Sequence, residues 1–326
     1  MIEVSDVIID KINYEAEIGE SRLEFDIKGN NINYIIINTL KRILYSHIPI
    51  YAFTELEFEK NTSIYHDSYL KLRINQLPVW EIDNNVIIFN DTSKIENDIE
   101  NLNEDIEDIA IKPTYEINSS SLMQLTMYIN FINKNNTIVD VTTNHALFYY
   151  GGKQISSPYK IPIQIVKLQP GNEITFTAIT SLGIAETNAI FCAISVSAYK
   201  QHSPNHFTFF LESRGQLDEY TLLDRGIKNI EAKLDKLLEL IIENTELAML
   251  SEGSFSIDNE DHTLGNLIVD GMQTHNDISF AGYNLPHPMA TTLNIHFKLK
   301  NNTIQNIIKD VINYYKKLFN KIIIKK

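Results

Sequence analysis

The sequence predicts an α+β fold in which two similar halves pack as an intramolecular pseudo-dimer, with a mainly β domain inserted into the first half. Short segments with apolar residues at alternate positions are typical of half-buried strands, and longer segments repeat apolar residues at helical spacing. The order strand, helix, strand and long C-terminal helix occurs across residues 1–246, with an interruption, and again across 247–326. Two copies whose long apolar helices lack a partner favour pairing about a pseudo-two-fold axis.

The first half opens with a strand and a helix. Residues 23–28 alternate apolar and polar side chains, and the helix that follows ends at Pro49. Its apolar stripe consists of Ile36, Leu40, Ile43, Leu44 and His47. We expect a second strand over 53–59 and a second helix over 66–75, which stops before Pro78.

The interruption of the first half is predicted to be mainly β. Its short apolar segments are separated by turn signals such as Pro170-Gly171. The expected strands are 127–132, 161–166, 174–180 and 194–199. The first half resumes with a strand over 207–211 and a long helix from about Tyr220.

The long helix carries an apolar seam that predicts a helical partner. Its members recur in a 4-3-4-3-4 pattern: Leu223, Ile227, Ile230, Leu234, Leu237 and Ile241. A seam of nearly three heptads is typical of helices that pack against another helix. The alternative is that each helix packs only within its own half.

The second half repeats the pattern on a smaller scale. A strand is expected at 255–257, a helix from Thr263, strands over 279–283 and 291–299, and a last helix from Thr303. The two helical stripes are Leu264, Leu267, Ile268, Gly271 and Met272, and Ile304, Ile307, Ile308, Val311, Tyr315, Leu318 and Ile322. The predicted domains are therefore 1–54 with 201–246, the insertion 55–200, and 247–326.

Composition argues against several functional classes. The net charge is −14 and the pI is about 5.1, which disfavours a main DNA-contacting surface because such surfaces need Lys and Arg. Residues 81–110 hold ten acidic residues against one lysine, and we interpret them as a solvated insertion. The single cysteine, Cys192, excludes an internal disulfide and a Cys-rich metal site. We expect an intracellular protein, with neither a signal peptide nor a membrane span.

Motifs for catalysis are weak. His66-Asp67 forms an HD pair, and further histidines are scattered through the second half: His262, His275, His287 and His296. Their spacings match no metal signature, so a metallohydrolase is a minor alternative. We predict no catalytic residue, no metal and no cofactor.

Two blocks of the first half resemble a known family. Residues 38–44 read NTLKRIL, Ile48-Pro49 follows, and Asp67, Arg73 and Pro78 continue the pattern. This arrangement resembles the larger of the two alpha-like subunits that multisubunit DNA-directed RNA polymerases of archaea and eukaryotes contain. In this chain Lys41 replaces the first arginine of the family pattern. Residues 161–191 and 209–217 are also similar to that larger subunit.

The second half resembles the smaller alpha-like subunit of the same polymerases. The blocks DHTLGNLIVDGM (261–272) and FAGYNLPHPM (280–289) carry this likeness at the expected separation. The two subunits are usually separate chains that form a heterodimer. A fused chain is associated with nucleocytoplasmic large DNA viruses, which agrees with the Asn- and Ile-rich sequence. The resemblance thus implies a viral protein of the virion and host cytoplasm, with the nucleus as the alternative.

The resemblance implies a non-catalytic assembly subunit that docks the two largest polymerase subunits and small polymerase subunits, and that meets DNA only through the complex. The alternative is a stand-alone transcription regulator that reuses the fold. Large-subunit contacts are expected at Asn38, Lys41, Arg42, His262 and Asn266. Intramolecular pairing is expected at Ile36, Leu40, Leu44, Leu223, Ile227, Ile230, Leu234, Leu237, Leu264, Leu267, Ile268, Ile304, Ile308, Val311, Tyr315 and Leu318. Gly265 and Gly282 are expected to serve close backbone approach or turns rather than binding.

Overall fold

The computed structural model describes residues 8–17, 20–80, 124–287 and 292–324, together with positions 82 and 87. The helices are α1 (Tyr34–Ser46), α2 (Asp67–Asn75), α3 (Glu219–Glu243), α4 (His262–Thr274) and α5 (Ile304–Asn320). The strands are β1 (Ile8–Glu17), β2 (Glu20–Lys28), β3 (Ile50–Asn61), β4 (Leu125–Ile132), β5 (Val139–Thr142), β6 (Ala146–Tyr150), β7 (Lys153–Ile155), β8 (Gln164–Leu168), β9 (Glu173–Gly183), β10 (Ile194–Ser203), β11 (His206–Ser213), β12 (Glu252–Asp258), β13 (Ile278–Asn284) and β14 (Thr292–Leu299). The acidic segment 81–110, interpreted above as a solvated insertion, lies outside the described residues except at 82 and 87.

The chain divides into two compact units, one formed by Met1–Ile48 with Cys192–Lys326 and the other by Pro49–Phe191. The second unit is mainly β, as predicted for the insertion. It contains an antiparallel sheet of order β3-β9-β4-β6-β7, the strand pair β5-β8, and α2, which contacts β3 and β8. Its core includes Phe53, Leu70, Ile74, Met127, Phe148 and Phe176.

The predicted turn at Pro170-Gly171 lies between β8 and β9. Gly171 has a φ of 80°, and the amide of Asn172 donates to the carbonyl of Gln169 at 3.0 Å. Proline followed by a residue of positive φ is the signature of a type II turn. Glycine adopts this φ without the steric cost that a Cβ atom would bring.

The first unit contains two copies of one topology. The first repeat, as we name it here, is β2-α1-β10-β11-α3, and the second repeat is β12-α4-β13-β14-α5. The strand orders are β2-β11-β10 and β12-β14-β13, and all pairings are antiparallel. Both repeats therefore follow the same path, which confirms the α+β fold class with two similar halves. In the first repeat the insertion separates α1 from β10, and β1 extends the sheet beside β2.

Local sequence explains where the helices of the repeats begin. The preceding residue in each case carries a side-chain oxygen that accepts a hydrogen bond from a first-turn amide. These N-cap residues are Asn33, Asp218, Asp261 and Thr303. Such caps satisfy amides that have no partner within the helix. No helix among the described residues is long and apolar enough to cross a membrane.

Four helices pack against one another in a closed cycle. Within the repeats α1 contacts α3 and α4 contacts α5, while between the repeats α1 contacts α4 and α3 contacts α5. The apolar seam of α3 therefore meets helices of both repeats, and both packing alternatives contribute. Burial of the apolar stripes removes them from water, which is the main stabilising contribution.

Four strands were not predicted from the sequence. In β1, Ile8 and Ile12 are 54% and 48% exposed, so the side chains that the structure describes in this edge strand form no buried stripe. The strands β5 and β7 have only 4 and 3 residues, too few to show a period. The fourth unpredicted strand is β6.

Two predicted elements differ from the structure in their bounds. The strand predicted from residue 161 begins at Gln164. Ile322, predicted in the last helix, is buried just beyond the end of that helix at Asn320.

Gly271 allows α4 to approach α5 closely. A Cβ atom there would lie 2.5 Å from Val311 Cγ1 and 2.8 Å from Tyr315 Cε2. We expect Gly271→Val to lower the free energy of unfolding by about 1–3 kcal/mol, because an overpacked helix interface must shift. Urea denaturation measures this effect. The control Lys309→Ala, at an exposed position of α5, should change stability by less than about 0.5 kcal/mol; equal stability of both variants would contradict the close packing.

Candidate functional site

The two repeats are joined by reciprocal polar contacts between α1 and α4. The Asn33 amide donates from Nδ2 to Asp270 Oδ2 at 3.0 Å. The Arg42 guanidinium donates from Nη2 to Asp261 Oδ2 at 2.6 Å. Each contact therefore joins the N-cap residue of one helix to a residue in the body of the other.

These two contacts are related by the repeat. Asn33 caps α1 and Asp261 caps α4, while Arg42 and Asp270 each lie nine positions after the cap of their own helix (42 − 33 = 270 − 261 = 9). An interface in which position i contacts j and the equivalent of j contacts the equivalent of i is isologous. The contact between α1 and α4 is therefore equivalent to the contact that one surface makes with its own copy in a two-fold dimer.

Asp261 both caps α4 and receives Arg42. Its Oδ1 accepts from the Thr263 amide at 2.7 Å. Burial raises the pKa of Asp261, but the hydrogen bonds from Thr263 and the nearby Arg42 charge outweigh burial and hold the pKa below its usual range. Asp261 is therefore ionised at neutral pH, as the ion pair requires.

Asp270 accepts a second hydrogen bond on the same oxygen. The Tyr315 hydroxyl of α5 donates to Oδ2 at 3.0 Å. Burial and the neighbouring Asp270 carboxylate raise the pKa of Tyr315 well above its usual value. Tyr315 therefore stays protonated and keeps donating, which links α5 to the α1–α4 contact through Asp270.

A buried ion pair joins α3 to the residue before the α4 cap. Lys233 Nζ lies 2.8 and 3.0 Å from the two carboxylate oxygens of Glu260, and the two side chains are only 13% and 12% exposed. Burial raises the pKa of Glu260, and the attraction of Lys233 offsets only part of this increase. The pair is a second polar connection between the repeats.

His47 lies at the C-terminal cap of α1 among these charges. Its backbone carbonyl accepts from Asn229 Nδ2 of α3 at 3.2 Å. Burial, reinforced by the positive charge of Lys233, lowers the pKa of His47 to about 4, although Asp261 acts in the opposite direction. The imidazole is therefore neutral at physiological pH.

The long helices α3 and α5 run antiparallel across the interface. Lys316 forms an ion pair with Asp235, and the Asn320 amide donates to Glu231. Gln305 Nε2, at the other end of α5, donates to the Ile241 carbonyl at 3.1 Å. The order of partners along α5 is the reverse of that along α3, as expected when a pseudo-two-fold axis lies perpendicular to the two helices.

All sixteen residues expected to pair the halves are buried, each at most 5% exposed. The α1 and α3 members are Ile36, Leu40, Leu44, Leu223, Ile227, Ile230, Leu234 and Leu237. The α4 and α5 members are Leu264, Leu267, Ile268, Ile304, Ile308, Val311, Tyr315 and Leu318. A Cβ atom on Gly226 of α3 would lie 2.5 Å from Leu44 Cδ2, so α1 and α3 also approach closely.

The five residues expected to contact large subunits keep accessible surface. Arg42 and His262 are exposed, and Asn38, Lys41 and Asn266 are half-buried. Arg42 forms the contact with Asp261 described above, which the sequence had not indicated. Lys41 Nζ lies 5.9 Å from the centre of the Tyr199 ring, and the His262 ring lies 5.7 Å from that of Tyr283.

Sequence reasoning missed the polar half of this interface, which comprises Asn33, Lys233, Glu260, Asp261 and Asp270. A signal existed for two of them, since Asn and Asp directly before a helical stripe indicate N-caps. Nothing local marks Lys233, Glu260 or Asp270 as interfacial. Gly265 does serve close approach, because a Cβ atom there would lie 2.8 Å from Leu293 Cδ1.

The histidines considered for catalysis have separate surroundings. His66 caps α2 through Nδ1, which accepts from the Ser68 amide at 3.2 Å. His275 Nε2 lies 3.7 Å from Asp310 Oδ2, and His296 contacts Asn284. Among the described residues, none of these histidines belongs to a cluster with metal-ligand spacing.

Comparisons with known proteins agree with this geometry. The RNA polymerase Rpb3/Rpb11 dimerisation domain matches residues 24–234 and, a second time, residues 252–325. The chain is 24% identical to a protein of Acanthamoeba polyphaga mimivirus described as DNA-directed RNA polymerase subunit R470, over 93% of this chain and 90% of the viral protein.

Two shorter similarities involve cellular polymerase subunits. RNA polymerase II subunit rpb11 of Dictyostelium discoideum is 49% identical over 15% of this chain and 41% of its own length. Subunit RPAC2 of RNA polymerases I and III of Saccharomyces cerevisiae is 35% identical over 19% of this chain and 48% of its own length. The chain belongs to the RNA polymerase Rpb3/Rpb11 dimerisation-domain family and is a non-catalytic, alpha-like subunit of a DNA-directed RNA polymerase.

Proposed function

We propose that this chain is the assembly platform of its polymerase, in which the two repeats pair within one chain in place of the usual heterodimer. The observation that carries the proposal is the reciprocal pair of contacts, Asn33 with Asp270 and Arg42 with Asp261. Fusion makes the pairing intramolecular, so it does not depend on protein concentration. The predicted domains, 1–54 with 201–246 and 247–326 around the insertion 55–200, would form this pair, with β10 (Ile194–Ser203) assigned to the first repeat rather than to the insertion.

We further propose that the paired α1 and α4 surfaces dock the two largest polymerase subunits, and that small subunits bind elsewhere on the chain. The contact residues would be Asn38, Lys41, Arg42, His262 and Asn266. Asn38 and Asn266 occupy equivalent positions, five residues after the caps of their helices (38 − 33 = 266 − 261 = 5). Equivalent polar residues at the two sites suit a platform that presents two similar surfaces, one to each large subunit. DNA would meet the chain only through the complex.

The test is recovery of companions in the native setting. A tagged chain purified gently is expected to retain two very large polymerase subunits in stoichiometric amounts, identified by mass spectrometry. Lys41→Glu should reduce their recovery roughly tenfold or more. The new carboxylate would face the partner groups that had complemented the lysine, and like charges across an interface cost several kcal/mol. The matched control is Lys309→Glu on α5, which should leave recovery unchanged. Recovery of the chain alone, or with DNA only, would contradict the proposal.

Arg42 needs its own design because it already contacts Asp261. Arg42→Glu should weaken both the intramolecular contact and the recovery of large subunits. The matched variant is Asp261→Asn, which removes the carboxylate charge that pairs with Arg42 but keeps a side-chain oxygen to cap α4. We expect Asp261→Asn to weaken the contact between the repeats and to leave recovery of the large subunits unchanged. An equal loss of recovery in Arg42→Glu and Asp261→Asn would show that Arg42 acts only within the chain.

We also propose a viral source, with the protein in the virion and the host cytoplasm. The likeness to a mimivirus protein over nearly the whole chain supports this proposal. Detection of the chain in purified virions by mass spectrometry, together with other polymerase subunits, would be the expected result.

A further inference from the structure

A buried carboxylate lies on the outer face of the first-repeat sheet. Side chains alternate along a strand, and Leu23, Phe25 and Ile27 of β2 are fully buried. Asp26 therefore projects from the opposite face, yet it is only 4% exposed. An aspartate is almost never buried unless it is paired, so the buried Asp26 carboxylate requires neighbouring groups that hydrogen-bond to it or balance its charge.

Two histidines and a threonine cover this carboxylate. His206 Nε2 lies 3.1 Å from Asp26 Oδ2, and the Thr208 hydroxyl donates to Oδ1 at 2.6 Å. His202 Nε2 lies 2.8 Å from the Thr208 hydroxyl. The two imidazole rings lie 4.6 Å apart between centroids and are tilted by 30°. His202 lies near the end of β10 and His206 begins β11, on either side of the turn that joins these strands.

We propose that Asp26, His202 and His206 form a binding site for a divalent transition-metal ion of the zinc class. Their potential ligand atoms all lie within 4.8 Å of one another. Imidazole nitrogen together with one carboxylate suits zinc and its neighbours rather than Mg²⁺ or Ca²⁺, which prefer oxygen ligands. The role is separate from polymerase assembly, since the site uses strands of the first repeat alone.

Small side-chain movements would complete the coordination. Zn–N and Zn–O bonds of about 2.0–2.1 Å place tetrahedral ligand atoms roughly 3.3 Å apart. Asp26 and His206 already meet this separation, and only the exposed His202 ring must approach. Three protein ligands leave the fourth position for water, which fits a site that opens to solvent through its histidines. Thr208 would then act as the outer partner that orients Asp26.

Lys28 competes for the same carboxylate. Its Nζ lies 3.5 Å from Asp26 Oδ2, and its side chain is 32% exposed. A bound dication would repel the ammonium, which must swing towards solvent. The proposal therefore predicts that removal of the Lys28 charge tightens metal binding. A misfolded variant would bind the metal more weakly, so tighter binding cannot result from misfolding.

The experiment is a ZnCl₂ titration by calorimetry of the full chain, purified without a histidine tag and stripped with EDTA. We expect one Zn²⁺ per chain, a rise in melting temperature with Zn²⁺, and tetrahedral absorption bands when Co²⁺ replaces it. His202→Gln and His206→Gln should each weaken binding by more than about tenfold, since even outer-shell changes cost 10–100-fold. His296→Gln, an exposed histidine on β14, is the control and should bind normally.

Lys28→Gln should bind Zn²⁺ several-fold more tightly than the unchanged chain. Absence of a saturable site, or equal affinity in the variant that combines His202→Gln with His206→Gln, would overturn the proposal. Unchanged or weaker binding by Lys28→Gln would overturn Asp26 as a ligand. Circular dichroism of each metal-free variant establishes that the chain is folded before titration.

Discussion

Replacing Lys233 by methionine is expected to lower the free energy of unfolding by about 3 kcal/mol at neutral pH, because removal of one partner strands a buried charge. Glu260 is 12% exposed and receives both of its short contacts from Lys233. Its pKa is already raised by burial, so Glu260 would protonate more readily in the variant. The loss should therefore shrink as the pH falls below neutrality. Chemical denaturation at several pH values measures it.

Two further variants separate the charge from the packing. Lys233→Met combined with Glu260→Leu replaces the whole pair by apolar side chains and should recover most of the lost stability. Lys316→Met breaks the Lys316–Asp235 pair, whose side chains are 26% and 52% exposed, and should cost no more than about 1 kcal/mol. If Lys233→Met and Lys316→Met were equally mild, the pair at Glu260 would not be a buried connection between the repeats.

Acidification is expected to destabilise the paired repeats through His47. Its pKa is lowered from 6.5 to about 4 in the folded chain, so the neutral form is favoured by folding. A group with a depressed folded pKa contributes stability above its unfolded pKa, and the contribution is lost as the pH falls towards the folded pKa. The loss should therefore develop between pH 6.5 and pH 4 and reach about 3 kcal/mol, at 1.36 kcal/mol per pKa unit.

The comparison that isolates this effect is the His47→Gln variant. Asp261 and Glu260 titrate in both proteins, with opposite signs: the lowered pKa of Asp261 costs stability on acidification, whereas the raised pKa of Glu260 adds it. The difference in unfolding free energy between the two proteins should therefore reflect His47. We expect the natural chain to lose more stability than His47→Gln over this range. Parallel pH profiles would contradict a buried neutral His47.

Much of the fold could be predicted from the sequence because its signals are local. The stripe of α1, the seam of α3 and the alternation in β14 each arise from residues close in the chain, and they predicted the right element type in both repeats. The short strands β5 and β7 could not be predicted, since 3 or 4 residues show no period. The edge strand β1 has exposed apolar residues and is defined by its pairing with β2.

The candidate site was also predictable only in part. Its apolar residues could be predicted from helical spacing, and its N-caps from Asn33 and Asp261, which stand directly before helices. The partners of these caps do not follow, because Arg42 and Asp261 are separated by 219 positions and meet only when α1 packs against α4. The same holds for Asp26, whose neighbours come from two other strands.

The sequence alone determined two similar halves, their helical seams and the family they belong to, because periodicity and motifs are properties of the chain itself. The tertiary structure decided how the halves meet: the reciprocal α1–α4 contacts, the buried Lys233–Glu260 pair and the neutral His47. These features depend on which charged groups are buried side by side when the helices pack. That outcome is set by the arrangement of four helices rather than by any one segment.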